Sequence, residues 1–460
     1  MALFTCCLYL LLIVLAGYTV LSAIQPDGRL TLAQLAGLTP AVGAGTVGLL
    51  LFWASLLGFA PSRGLLAVIG GLAAAGLLVL RIQNQLTRIE LRPAKWQPDD
   101  RWMFLPLAVI AAAVAIMVIN AVSTPLSEWD AFAIWGFKAK VVTHEALRPA
   151  PLYFQDLSLS YSHLEYPLLV PLLISGAYAA MGTVDDQTGK LVSVFLDLLL
   201  VPMVYLGLRW KLRRLPAMCL CVVLVLLPVL FRYAGTGCAD LPLATFYAGS
   251  IWFVARWIDQ QRLPDLLLAV LFSAFMAFTK NEGLILAIMN GVVMLGFGLA
   301  DLRNRRWLGA LLFFGGLLAI DAAWLIWSRD LPRTDEDYGS KLLSAEVLTH
   351  LSALKQIVPA MIALATEPHN WGLLWITAGG LALLGWRAFG RRTVLAVWIL
   401  VGMQWLSYAL VYSVTPWNLS ILMPLTLDRL MLHALPAIIL LAGWHWGEGD
   451  RSQQAAGSSQ

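Results

Sequence analysis

The stretch MFLPLAVIAAAVAIMVINAV (residues 103–122) followed by STPLSEWD (residues 123–130) decides how the whole chain is read. Twenty residues pass without a charge, about the length an α-helix needs to cross the roughly 30 Å hydrocarbon core of a bilayer. Two carboxylates, Glu128 and Asp130, then appear directly beyond the helix, followed by Lys138 and Lys140. Ionisable groups at a bilayer boundary are costly to organise and usually functional.

Working outward, the same apolar pattern recurs from Leu3 to His445. Of 460 residues, 60% are hydrophobic and 13% charged, and the mean hydropathy is +0.76. A soluble core cannot absorb that much apolar surface, so an all-α polytopic membrane protein is expected. Thirteen candidate spans are read at 3–23, 44–60, 64–81, 103–122, 191–208, 216–231, 241–257, 264–279, 283–300, 307–327, 371–386, 393–411 and 430–446. The first is expected to be a retained membrane helix, since no positive n-region precedes it. Cys6, Cys7, Cys219, Cys221 and Cys238 lack redox or zinc spacing and read as packing residues.

Charge sets the sides. Basic runs at Arg209–Arg214, Arg303–Arg306 and Arg387–Arg392 read as cytoplasmic anchors, not as a nucleic-acid footprint. Segment 82–102 is placed with them, which puts 123–165 on the outer side. Residues 166–182 are apolar but carry Pro167 and Pro171 and run into Asp185 and Asp186. A re-entrant or interfacial helix there preserves the parity of the count. The same bookkeeping brings Asp240, the Thr279–Gly283 hairpin, the 328–370 loop and Thr415–Arg429 to the outer face. Within 328–370, the pattern from Lys341 and Val347 through Ile362 suggests an amphipathic interfacial segment.

Glu128 and Asp130, at i and i+2, point the same way in a shaped loop and not in a helix. Such a pair binds a divalent metal with phosphate oxygens, or abstracts a proton from a hydroxyl. Lys138 and Lys140, beside Trp129 and Trp135, either neutralise a lipid-borne phosphate or snorkel from an interfacial helix. His163, Glu165 and Tyr166 precede Pro167, and His163 is placed to orient a hydroxyl or bind metal. Asp240 and Glu282 each begin a membrane helix, where they either cap it or act. Lys280 and Glu282 form a candidate pair in apolar surroundings. Arg429 offers a bidentate grip on phosphate, with Asp428 to hold it and His433 one turn beyond. HExxH, P-loop and GxGxxG patterns are absent from the sequence, which argues against zinc hydrolysis and nucleotide-activated donors.

Together these residues resemble the GT-C-like integral-membrane glycosyltransferases that use polyprenyl-phosphate sugars, among them the lipid A aminoarabinose transferases and protein mannosyltransferases. The resemblance is carried by Ser127-Glu128-Trp129-Asp130-Ala131 through Trp135, Lys138-Ala139-Lys140, His163-Leu164-Glu165-Tyr166-Pro167, Asp240, Thr279-Lys280-Asn281-Glu282-Gly283, Asp428-Arg429 and His433. It implies a GT-C-like bundle of about 13 transmembrane helices with interfacial helices in the outer loops. Residues 1–102 would form N-terminal membrane helices and a cytoplasmic connection, 103–446 the catalytic membrane domain, and 447–460 a short flexible cytoplasmic tail. The implied activity is inverting sugar transfer from a polyprenyl-phosphate carrier to a periplasmic lipid, glycan or peptide at a bacterial inner membrane. Asp130 is the first choice for the base and Glu128 the second. Lys138, Lys140, Lys280 and Arg429 would bind the donor phosphate, and His163, Glu165, Tyr166, Asp240, Glu282 and His433 would position substrate. Relatives differ in metal use, so a divalent cation (Mg or Mn) on Glu128, Asp130 and Asp240 stays open. A lipid-linked saccharide flippase or transporter is the alternative, and a noncatalytic scaffold the third reading; the lack of a strong internal repeat counts against a carrier.

Overall fold

The structure, a computed structural model, describes every residue except 27, 91–97, 125, 127, 334–337, 339–340, 342–350 and 448–460. Among the described residues, nine helices are long and apolar enough to cross a membrane, so the chain is an all-α polytopic membrane protein. Thirteen spans were expected, and the difference has identifiable causes. The 216–231 run is divided at Pro228 into Arg214–Val225 and Pro228–Tyr233. Leu263–Ala277 has 15 residues and Leu374–Leu384 only 11, and hydropathy alone does not register where a helix stops. The 241–257 run lies in the 21-residue helix Asp240–Gln260, which is not among the nine, whereas the 430–446 run is the second part of the 28-residue helix Leu419–Trp446, which is.

Helix Asp240–Gln260 is the hub. It is buried along nearly its whole length and packs against Leu263–Ala277, Leu419–Trp446, Leu200–Arg209, Arg392–Ser413 and Asn281–Leu299. Helices Ala2–Ile24, Leu38–Leu56 and Arg63–Ile82 form a group beside it, meeting the bundle through Leu169–Met181. Small residues allow the closest approach within that group: a Cβ on Gly43 would lie 1.8 Å from the Ile13 carbonyl oxygen. Intramembrane helix pairs use such positions to bring backbones together. A three-residue parallel ladder, Arg29–Thr31 with Arg88–Glu90, ties the two loops at one end of the group.

Leu169–Met181 spans 13 residues, about 20 Å at 1.5 Å per residue and short of the hydrocarbon thickness. Its first N–H donates to the carbonyl of Phe278, which caps Leu263–Ala277, and its last carbonyl accepts from Arg63 at 2.8 Å. Phe278 lies two residues before Lys280, and Arg63 opens its helix beside the outer loop, where the Leu147 N–H reaches the Ser55 carbonyl. Both ends are thus tied to the same side of the bundle. At this length the segment is not among the nine helices long enough to span.

The opposite end holds the basic runs, paired with acids: Arg214 with Asp100 at 2.8 Å, Arg213 with Asp99 at 3.3 Å, Lys211 with Asp259 at 3.7 Å and Arg306 with Asp301 at 3.1 Å. Of the amphipathic segment expected from Lys341 and Val347 through Ile362, residues 342–350 lie outside the described residues, as do residues 448–460 of the tail. Beyond them Leu354–Ala365 is a 12-residue helix.

Candidate active site

Four separate stretches deliver the polar groups to one point. After helix Phe104–Ser123 the chain reaches Asp130, which opens a wide π-type turn, Ala131–Gly136, before helix Phe137–His144. Such turns widen the backbone and recur at functional sites. The Gly235–Cys238 loop presses against this region: Gly235 and Gly237 have φ of +72° and +93°, and a Cβ on Gly235 would come within 2.3 Å of Ala121. Glycine alone satisfies both the left-handed backbone and the contact. That loop feeds Asp240 into the first turn of the hub helix. Lys280 immediately precedes helix Asn281–Leu299, and Arg429 and His433 come from Leu419–Trp446.

Asp240 is the centre of the constellation and is fully buried. Its Oδ1 accepts from Lys280 Nζ at 2.8 Å and pairs with His433 Nε2 at 3.1 Å. Its Oδ2 accepts from Arg429 Nε at 3.1 Å and Nη2 at 2.8 Å. Arg429 Nη2 also reaches Asp130 Oδ2 at 2.6 Å, so one guanidinium joins the two acids. Lys280 meets Glu282 Oε1 at 3.0 Å. His433 is held from behind by Tyr408, whose hydroxyl lies 3.1 Å from Nδ1 and accepts from Gln404 at 2.8 Å. Burial works against the Lys280 ammonium, but the Asp240 and Glu282 carboxylates outweigh it and hold its pKa above the ordinary value.

The cluster opens toward solvent at Asp130, whose side chain is 24% exposed against 1% for Asp240. Glu128 is exposed. Here the expected geometry needs correction: Asp130 has helical φ and ψ of −63° and −34°, so Glu128 and Asp130 do not point together as an extended pair. At helical spacing, i and i+2 side chains diverge, and only Asp130 turns inward.

Other expected site residues are arranged differently. Lys138 is fully buried and donates to the backbone carbonyls of His163 and Tyr166. Desolvation pushes its pKa down to about 7, with the Glu165 charge opposing. Its ammonium fastens the 163–166 turn instead of facing the cluster. His163 has a left-handed backbone, φ +50°, stacks on Tyr166 with centroids 4.5 Å apart, and sits 3.6 Å from Glu165. These three form a support around Lys138. Lys140 pairs with Asp186 at 2.7 Å, both partly exposed.

The fit of a divalent cation differs among the three carboxylates expected to hold it. Asp240 does not fit, because both its oxygens already serve cationic and imidazole donors. Among the described residues no group of three His, Cys, Asp or Glu side chains is placed to hold a metal ion. Glu128 and Asp130 are the carboxylates that reach solvent.

Several participants went unread in the sequence. Asp197 is buried and accepts the Gly235 N–H at 2.8 Å, anchoring the loop before Asp240. Arg232 and Tyr233 both donate to Asp428, at 3.2 and 2.9 Å. Tyr408 and Gln404 look like packing residues within apolar helices. The available signal was a polar side chain inside a membrane helix, which needs a partner.

Residues 165–327 match the family model described as dolichyl-phosphate-mannose-protein mannosyltransferase, so this part of the chain is similar to that family of membrane glycosyltransferases. The match includes Glu165, Asp240, Lys280 and Glu282; Asp130, Arg429 and His433 lie on either side of it. No curated protein matches the chain. No solved structure matches it either.

Proposed function

We propose that the chain transfers a sugar, with inversion, from a polyprenyl-phosphate carrier to an acceptor hydroxyl on the outer, periplasmic face of a bacterial inner membrane. The observation that carries this reading is the Asp130–Arg429–Asp240 bridge: a solvent-reaching carboxylate and a buried one share a single guanidinium. The acceptor is a lipid, glycan or peptide of the cell envelope.

In this mechanism the donor phosphate competes with Asp130 for Arg429. Asp130, Asp240 and Glu282 together outnumber Lys280 and Arg429 by one charge when His433 is neutral, so an incoming phosphate is accommodated by displacing a carboxylate. Asp240 is fixed by four contacts, and Asp130 is the one at the open edge. Release from Arg429 leaves the Asp130 carboxylate free to accept a proton at the moment the donor is bound. It takes the proton from the acceptor hydroxyl as that oxygen bonds to the anomeric carbon. The bond from this carbon to the phosphate oxygen breaks, and its electron pair leaves with the polyprenyl phosphate. Arg429 and Lys280 stabilise the charge that collects there, and their preorganisation by Asp240 avoids reorientation during reaction. Lys138, His163, Glu165 and Tyr166 shape the approach without touching phosphate. If the enzyme uses Mg or Mn, Asp130, the carboxylate at the open edge, would hold it, and the cation would neutralise phosphate charge.

The test is turnover by purified full-length protein supplied with a panel of polyprenyl-phosphate sugars and envelope lipid extract, with product identified by mass. Asp130→Asn is expected to lower kcat by about 10²–10⁴, the usual worth of a positioned general base, with unchanged thermal stability. Wild-type turnover in that variant would reassign the base. Vectorial movement of a lipid-linked sugar with no glycosidic product would favour the transporter reading.

A further inference from the structure

The basic runs at the end opposite Asp240 are not neutralised alike. In residues 209–214, Lys211, Arg213 and Arg214 each have an acid, respectively Asp259, Asp99 and Asp100, and Arg209 donates to the Leu212 carbonyl. The turns 301–306 and 386–392 together carry six arginines, Arg303, Arg305, Arg306, Arg387, Arg391 and Arg392, against one acid, Asp301. Six less one leaves five positive charges in two short turns. Orientation in the membrane explains basic residues at this end, but not why one run is matched acid for base and the other is not.

The two turns meet in space. Asp301 Oδ2 lies 3.1 Å from Arg306 Nε and 4.0 Å from Arg392 Nη1, so one carboxylate serves an arginine from each turn. Arg391 donates to the carbonyls of Trp444 and His445 at 3.3 and 3.2 Å, which ties the second turn to the end of helix Leu419–Trp446. Arg306 and Arg392 line a common cavity of about 10 Å³, alongside Phe297 and the partly exposed Trp257 and Gln261 at the end of the hub helix. That is room for about one water-sized atom. A phosphate oxygen fits it while the rest of a headgroup stays outside.

The surroundings choose among phosphates. Leu299, Leu302, Leu384 and Trp386 are exposed next to these arginines in the chain, an apolar rim suited to acyl chains. Guanidinium groups are weakly hydrated and fork onto phosphate oxygens, and basic pockets between membrane helices suit anionic headgroups. A choline or ethanolamine headgroup would bring its own cation against the excess of arginine. We propose that the 301–306 and 386–392 turns form a binding site for an anionic phospholipid, with Arg306 and Arg392 exchanging Asp301 for its phosphodiester. The site lies in the leaflet opposite the Asp240 cluster and stands independently of the transferase reading.

Delipidated full-length protein in neutral detergent is titrated with dioleoyl-phosphatidylglycerol, dioleoyl-phosphatidylethanolamine and inorganic phosphate, and bound molecules are counted by native mass spectrometry. Wild-type protein binds the glycerol lipid more tightly than the ethanolamine lipid. Arg306→Gln and Arg392→Gln each weaken the glycerol lipid about fivefold, the worth of one arginine at an anionic headgroup. Arg213→Gln, in the matched run, leaves it unchanged. Asp301→Asn removes the competing carboxylate and tightens it; should an arginine variant lose its melting transition, this variant decides. The site is overturned if the two lipids bind alike, if both folded arginine variants match wild type, or if Asp301→Asn does not tighten binding. Inorganic phosphate binding as tightly as the glycerol lipid would make this a free-anion site and overturn the lipid proposal.

Discussion

Asp240 and Asp130 carry the same side chain and do different work because their surroundings differ. Asp240 has no solvent and four polar contacts; Asp130 has solvent and one guanidinium. Asp240→Asn would leave Lys280 and Arg429 without their main counter-charge, so a loss of about 3–5 kcal/mol is expected, read as a lowered unfolding transition in detergent. Lys138 gives a second expectation. Its folded pKa of about 7 lies below the ordinary 10.5, so between these values the unfolded chain binds the extra proton and stability rises with pH. Lys138→Met should flatten that rise between pH 7 and 10.5 in thermal melts. Asp240, Lys280, Arg429 and His433 were legible in the sequence because ionisable groups at apolar helix ends attract suspicion. The burial of Lys138 was not, since a Lys-Ala-Lys pattern beside tryptophan also fits a snorkelling helix, and only the long-range His163 turn decides its direction.

The hairpin between helices Leu263–Ala277 and Asn281–Leu299 is what places Lys280. A Cβ on Gly283 would lie 1.9 Å from the Met276 carbonyl oxygen, so this glycine permits the tight return. Gly283→Ala should push the hairpin apart, move Lys280 away from Asp240 and lower kcat by an order of magnitude or more, consistent with the sensitivity of catalysis to small displacements. Single-turnover measurements would separate this loss from donor binding. Element identity was readable where apolar runs were long. Element length was not, because Pro228 and the early end of Leu374–Leu384 depend on backbone breaks and packing that hydropathy averages away. Charge parity, a property of its neighbours rather than of its own residues, made 166–182 a candidate re-entrant or interfacial helix, and the structure has there a short apolar helix of 13 residues.

Across the molecule, the cluster around Asp240 occupies one end and the basic runs with their paired acids, Arg214–Asp100 and Arg306–Asp301 among them, the other. Intact-membrane labelling should therefore modify a cysteine at Glu128 from the outer side and one at Arg303 only after permeabilisation; labelling of both from one side would overturn this topology. The hub helix joins the two ends. It has 21 residues, making it about 32 Å long, with Asp240 at one tip and Asp259, paired with Lys211, near the other. An α-helix gripped along its flanks resists shortening and bending far more than sliding as a whole. Mechanically it is a strut, with the Lys211–Asp259 contact near one end and the carboxylate that aligns Arg429 at the other.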